Sequence, residues 1–184
     1  MASRIRVLGF AGSLRQASAN RGLLRVAGEL LPEGMELEVF DLAPIPLYNG
    51  DLQAAGFPDM VQDFRERIRA ADAVLIACPE YNYSVPGVLK NAIDWASRPP
   101  QQPFAGKPLA IMGAGGGLGT ARAQYHLRQV CVFLDMHPLN KPEVLVRVAE
   151  SFNPDGTLKD EAVRPKVAAL LEALGAWTRR LRGG

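Results

Sequence analysis

Apolar positions along the chain switch between a strand-like and a helix-like period, in the order strand, helix, strand, helix. That order predicts a parallel sheet covered on both faces. Ile5 to Ala11 reads as the first strand. Leu23, Leu24, Ala27, Leu30 and Leu31 then recur at helical spacing until Pro32 and Gly34 stop the segment. Leu37 and Val39 mark a short second strand, and Met60, Phe64, Ile68 and Ala71 the face of the next helix. Between them, Leu42 to Phe57 is rich in proline and polar residues. It is longer than most connections and is expected to be functional or at an interface.

Ala73 to Cys78 (AVLIAC) is an unbroken apolar run, as a central strand buried on both faces requires, and Pro79 stops it. Ser84 is expected to cap a helix whose early turns hold Pro86 and Gly87 and which runs to about Ser97. Val88, Leu89, Ala92, Ile93, Trp95 and Ala96 cover most of that helix, so it needs a packing partner besides the sheet. Pro108 to Gly113 supplies a fourth strand. The glycine cluster GAGGGLG leads into a helix from Ala121 to Leu134, and Glu143 to Val148 gives a fifth strand. Val163, Val167, Leu170, Leu171, Leu174, Trp177 and Leu181 stripe the last helix. The pattern predicts one domain over residues 1–184: an α/β, flavodoxin-like three-layer sandwich with a five-stranded parallel sheet of order 2-1-3-4-5.

Composition narrows the class of function. The chain has 184 residues, 48% of them apolar, enough for a substantial core. Its formal charge is +2, and Arg179, Arg180 and Arg182 at the C-terminal end account for the excess. No fold-wide cationic field is present, so neither a nucleic acid nor a membrane is expected as partner. Cys78 and Cys131 lie in apolar runs and form no disulfide framework. The longest charge-free stretch, Pro108 to Ala121, carries five glycines and is a poor membrane span. Arg4 and Arg6 interrupt any signal-peptide core in Met1 to Gly12, so a cytoplasmic protein is expected.

In such sheets ligands bind beyond the carboxyl ends of the strands, where the loops after strands one, three and four converge. The first loop, Gly12 to Asn20, sets two hydroxyls, a guanidinium and side-chain amides between a strand and a helix N-terminus. A phosphate monoester needs such a place: free backbone N–H groups, the positive end of a helix dipole, and Arg15 as a fork of donors. The bland alternative is that Ser18 or Asn20 merely caps the helix and Arg15 is solvated. The loop is not a Walker A sequence, and neither Gly-rich loop contains lysine. The glycine cluster also fails G-x-G-x-x-G, because the third position falls on Leu118, Thr120 or Arg122. After strand three, Tyr81 and Tyr83 could wall a flat ring or simply pack. His126 and His137 lack the spacing of metal ligands, and His126 is placed too far along its helix to face the site. Ser13 and Ser84 sit in no nucleophile elbow. The site binds rather than attacks, which suits chemistry carried by a cofactor.

The stretches GSLRQASAN, PEYNYSVPGVLKNAIDWASR and the glycine loop continued by ARAQYHLRQV resemble the NADPH-dependent FMN reductase family, within it bacterial quinone and chromate reductases, from Ile5 to about Val148. The resemblance implies FMN, with its phosphate held by the first loop, Gly12, Ser13, Leu14, Arg15, Ser18 and Asn20. It implies that Pro79, Glu80, Tyr81, Asn82 and Tyr83 line the flavin ring, and that Ala114, Gly115 and Gly116 cover its other polar edge. Relatives often carry serine where this chain has Gly113 and Ala114, so a backbone N–H is expected to stand in for the hydroxyl. NADPH, or NADH, would be the co-substrate. Hydride would pass through the flavin to quinones, chromate, azo compounds or free flavin, with no catalytic side chain. Similar proteins are dimers or tetramers with the flavin near a subunit boundary; Arg122, Tyr125 and Glu143 resemble positions used between dimers, or form intrachain pairs. The competing reading is a flavodoxin-type electron carrier, which would want an acidic docking face that the near-zero net charge does not supply.

Overall fold

A computed structural model of the chain describes residues 4–183; Met1, Ala2, Ser3 and Gly184, and with them the start of the Met1 to Gly12 stretch, lie outside the described residues. The chain begins with β1 (Ile5–Ala11), α1 (Ala19–Glu29) and β2 (Met35–Phe40). A short α2 (Gly50–Ala54) precedes α3 (Asp59–Ala70), β3 (Ala73–Ala77), α4 (Gly87–Ala96), β4 (Pro108–Gly115) and α5 (Ala121–Leu134). The chain continues through β5 (His137–Pro138), β6 (Val144–Arg147), a short α6 (Val148–Ser151) and α7 (Val163–Leu181). The parallel sheet has the order β2-β1-β3-β4-β5, with β6 also on β4, and the fold is flavodoxin-like, as the pattern predicts.

Side chains alternate across the sheet with the period of two that a pleated strand imposes. Leu8, Phe10, Val74, Ile76, Leu109 and Ile111 pack on the face covered by α3, α4 and α5. The opposite face is smaller: Ala73, Ala77, Ala110 and Ala114 let α1 and α7 lie close, with Leu23, Leu24, Leu170 and Leu171 filling the layer.

Three expectations are corrected. The fifth strand position is filled by two pieces: Pro108 and Leu109 pair with His137 and Pro138, while Met112 to Gly115 pair with Val144 to Arg147. Pro138 and Pro142 lack the N–H that a ladder needs, so the chain bulges out between the pieces, and six strand segments replace five. Asn49 and Pro58 start helices inside and after the long polar connection. Asn49 Oδ1 accepts from the Asp51 amide at 2.8 Å, so that connection contains α2. Finally, Ser84 does not cap α4, whose N-cap position is Pro86; the Ser84 hydroxyl lies 2.9 Å from Nδ1 of His126 on α5.

The surplus apolar face of α4 finds its second partner inside the chain. Trp95, fully buried, donates Nε1–H to the Pro46 carbonyl at 2.8 Å and meets the rings of Tyr48 and Phe57 edge-on. Asn91 donates to the same carbonyl and accepts from the Tyr48 amide, both at 2.8 Å. The end of α4 is held by the buried Arg65, which donates to the carbonyls of Ala96, Arg98 and Pro100 within 2.8 Å. The Ala96 carbonyl is one of the orphan acceptors that a helix C-terminus leaves, and those of Arg98 and Pro100 belong to the loop that follows.

Candidate functional site

At the carboxyl end of β1 the chain must pass very close to the loop after β3. Gly12 allows it, because a Cβ there would lie 3.0 Å from the Pro79 ring and 3.1 Å from Leu89. Gly12 extends the sheet by one bond, to the Ala77 carbonyl, and the chain then leaves the ladder. Ser18 is the N-cap of α1; its Oγ accepts from the amides of Asn20 and Arg21 at 3.2 and 3.4 Å. Ser13 Oγ accepts from the Arg15 amide at 3.4 Å. The amides of Leu14, Gln16, Ala17 and Ser18 donate to nothing among the described residues, and they gather at the positive end of α1. The Arg15 guanidinium is exposed and makes no ion pair among the described residues. Unpaired amides, a helix N-terminus and a free guanidinium form the donor set of a phosphate monoester, and these residues fit that group.

Asn20 has a different part. Its buried side chain donates to the Ala114 carbonyl at 2.9 Å and accepts from the Ala114 amide at 3.0 Å, tying the first turn of α1 to the end of β4. The Ala114 amide is therefore spent, Gly116 is paired with Gly119 in an antiparallel bridge, and the amide left free on this side is that of Gly117, which donates to nothing among the described residues. A serine at position 113 has no room, since its Cβ would lie 2.1 Å from Thr120 Oγ1 and 2.4 Å from the Cys78 carbonyl. Thr120, fully buried and accepting from Gln124 Nε2 at 3.0 Å, occupies that space.

The loop after β3 is braced from α5. Glu80, its side chain 7% exposed, accepts from the amides of Arg122 and Ala123 at 3.0 and 3.2 Å and from Arg122 Nε at 2.7 Å. Burial alone would raise the Glu80 pKa, but these hydrogen bonds and the Arg122 charge outweigh it and hold the carboxyl below its ordinary range. Glu80 thus caps the N-terminus of a helix 42 residues further along. The Arg122 guanidinium in turn lies 3.4 Å over the centroid of the Tyr83 ring. Between Tyr81 and Ser84, whose backbones exchange bonds at 3.1 and 2.9 Å, Asn82 and Tyr83 turn with φ of 50° and 66°. This left-handed pair makes a type I′-like hairpin, and Tyr83 pays a strain that glycine would not. His126 touches the same loop through Ser84, but it lines a separate hollow with Lys90 and Gln129 and does not face the site.

The three loops enclose one cavity of about 490 Å³, a size suited to a small ligand. Ser13, Arg15, Ser18 and Asn20 line it from the first loop, Pro79, Glu80 and Tyr81 from the second, and Ala114 and Gly115 from the third. Gly12, Leu14, Asn82, Tyr83 and Gly116 lie off its wall, Gly12 beneath it and the others around its loops. A fourth wall has no counterpart in the sequence reading: Val148, Ala149, Phe152, Asn153, Pro154 and Lys159. The signal that could have found it is the turn sequence Asn153-Pro154-Asp155-Gly156, placed just after the short α6 that follows β6. Arg122, Tyr125 and Glu143 make intrachain contacts: Tyr125 donates to Glu143 at 3.1 Å, and Lys141 pairs with Glu143 at 2.8 Å. Among the described residues no group of metal-ligating side chains converges, and no helix is long and apolar enough to cross a membrane.

The sequence model of the NADPH-dependent FMN reductases matches residues 5–151. The chain is 60% identical to an NAD(P)H-dependent FMN reductase of Pseudomonas aeruginosa, over 100% of both chains. It is 44% identical to a quinone reductase of Escherichia coli K12, over 99% of this chain and 100% of that one. Among solved structures, FerB, a flavoenzyme NAD(P)H:(acceptor) oxidoreductase from Paracoccus denitrificans, superposes with a TM-score of 0.85 at 35% identity, covering 96% of this chain and 98% of its own.

Proposed function

The chain belongs to the NADPH-dependent FMN reductase family, and from that premise we propose that it is an FMN-dependent NAD(P)H oxidoreductase serving quinones or other small acceptors. Bound FMN would accept hydride from NADPH or NADH and hand reducing equivalents on to the acceptor. The observation that carries this reading is the cavity itself. Phosphate-type donors at the start of α1 and the Pro79–Tyr81 loop face one space of about 490 Å³.

The work of this chain's residues is binding and orientation. The amides of Leu14 and Gln16 to Ser18, with Arg15, receive the phosphate. Ser18 and Asn20 act one step back: Ser18 holds the helix start, and Asn20 fixes its distance from β4. Pro79 and Tyr81 present a flat apolar wall. Glu80 keeps that wall in place by capping α5 rather than by offering its carboxylate to a ligand. The free amide of Gly117 is a donor for negative charge at the polar edge of the ring. Among the described residues no histidine lines the cavity, and its one carboxylate, Glu80, is engaged by Arg122 and the start of α5, so protons are assigned to water.

A second copy of the chain is the partner proposed for the outer face of α5, where Tyr125, Val132 and Phe133 are 56%, 82% and 81% exposed at spacings that place them on one side of the helix. Two buried free thiols suit a reducing, cytoplasmic setting.

The test is the absorption spectrum of the purified protein, followed by steady-state oxidation of NADPH and NADH with a panel of quinones, chromate, azo dyes and free FMN. A flavin spectrum with acceptor-dependent nucleotide oxidation is the expected result. Colourless protein that neither binds FMN nor oxidises either nucleotide overturns the reading.

A further inference from the structure

The fourth wall of the cavity brings a positive charge to the site, and neither the three loops nor the matched span accounts for it. The family model ends at residue 151, and Phe152, Asn153, Pro154 and Lys159 follow it. The segment is built rather than loose. Phe152 and Leu158 pair antiparallel, and the Asn153 amide donates to the Thr157 carbonyl at 2.9 Å. Asp155 Oδ1 accepts from the Thr157 amide at 2.9 Å and from its hydroxyl at 2.6 Å, so a tight hairpin closes over Asp155 and Gly156.

This hairpin is seated against the start of α1, the place that offers the phosphate its amides. A Cβ on Gly22 would lie 2.4 Å from the Gly156 carbonyl oxygen and 2.8 Å from the Phe152 ring. A Cβ on Gly156 would lie 2.9 Å from the Ala17 carbonyl carbon, and Gly156 has φ of 80°, which glycine alone adopts without strain. Arg25 adds a bond to the Gly156 carbonyl at 2.8 Å. The chain leaves the hairpin at Lys159, whose amide is held by the Ser151 carbonyl at 3.0 Å and whose Nζ donates to the Ala149 carbonyl at 2.9 Å. Lys159 therefore stands on the cavity wall with one neutral acceptor and no ion-pair partner among the described residues.

The charge balance of the site asks for such a group. A phosphate monoester carries about −1.5 to −2 near neutral pH. Arg15 answers one of those charges, and Arg21, the next cation along the loop, is already committed to Asp41 at 2.6 Å. We propose that Lys159 is a second cationic ligand of the cofactor phosphate, acting as a point charge from the hairpin wall while Arg15 acts as a fork from the loop after β1. The proposal rests on the FMN reading above.

The test compares FMN with riboflavin, which has the ring and ribityl chain but no phosphate. Full-length protein stripped of flavin is titrated with each, following the quenching of flavin fluorescence, for the wild type, Lys159→Gln and Lys159→Arg. A lost charge-assisted contact predicts that Lys159→Gln raises the Kd for FMN about tenfold, with a shallower salt dependence. The riboflavin Kd stays at the wild-type value, and Lys159→Arg retains most of the FMN affinity. Unchanged FMN affinity in Lys159→Gln overturns the proposal. So does an equal loss for both flavins, because Lys159 would then act through the fold. Wild-type protein that bound neither flavin would instead overturn the FMN reading, and this proposal with it.

Discussion

Asn20 and Ala114, 94 residues apart in sequence, are joined by two hydrogen bonds that satisfy both polar groups of one peptide position with a single buried amide. The clamp sets the separation between the helix start that offers phosphate donors and the glycine loop that offers an edge donor. Asn20→Ala leaves a buried N–H and C=O without partners, which costs about 1–3 kcal/mol. The expected outcome is a lower urea midpoint and a weaker FMN complex together. Asn20→Ala protein with wild-type stability and wild-type flavin affinity would show that the clamp is incidental.

Arg15 stands apart from the rest of the first loop because nothing within the described residues engages its guanidinium. Arg15→Ala should therefore leave folding almost untouched while weakening FMN retention by about 1.5–3 kcal/mol, the size of a charge-assisted contact. Riboflavin affinity should not follow. Thermal melts of the flavin-free variant and titrations with both flavins separate these effects, and a variant that keeps full FMN affinity removes Arg15 from the site.

Glu80 gives the site a dependence on pH. Its carboxyl is held below the ordinary value of 4.5 in the folded protein, burial being outweighed by the hydrogen bonds and charge of α5. A carboxyl with a depressed folded pKa stabilises fully above its unfolded pKa and loses that contribution as pH falls through the folded value. Glu80→Gln should cost about 1–3 kcal/mol at neutral pH. The gap between wild type and variant should close below the ordinary carboxylate range. Urea midpoints at about pH 7, 5 and 3 measure it. A gap that stayed constant across that range would show that the charge of Glu80 contributes nothing beyond its hydrogen bonds.

The sheet was legible in the sequence because its two signals, a period of two and a period of 3.6, are local. The strands from Ile5 and Ala73 and the helix from Ala121 to Leu134 start where the pattern places them. The split of the fifth strand was not legible, since Pro138 and Pro142 break a ladder whose partner, β4, is set by the fold. At the site, the identities of the loops after β1, β3 and β4 could be read, and so could Ser18 as a candidate helix cap, but the bracing tasks of Asn20 and Glu80 could not. Ser18, Asn20 and Glu80 look like ligand contacts in sequence because they are polar and sit in the right loops. Their partners are an adjacent helix turn, Ala114 and Arg122, two of which lie 94 and 42 residues away. Lys159 escaped for a related reason: it is remote from the glycine-rich loops, and only the hairpin's seat on Gly22 carries it to the cavity.

Position 113 is glycine for a steric reason. The Cβ of Gly113→Ser would lie 2.1 Å from Thr120 Oγ1 and 2.4 Å from the Cys78 carbonyl, distances that side-chain rotation alone does not relieve because one of the atoms is backbone. Overpacking of this kind costs about 1–3 kcal/mol, and here the upper end applies because β3 and β4 would have to part. For a chain of this size that corresponds to a fall in Tm of roughly 6–12 °C. Adding Thr120→Ala removes the first clash but not the second, so the double variant should recover only part of the loss. Calorimetry on the two variants decides the matter. If Gly113→Ser alone matched the wild type, the glycine would owe nothing to Thr120, and a hydroxyl could be installed there without penalty.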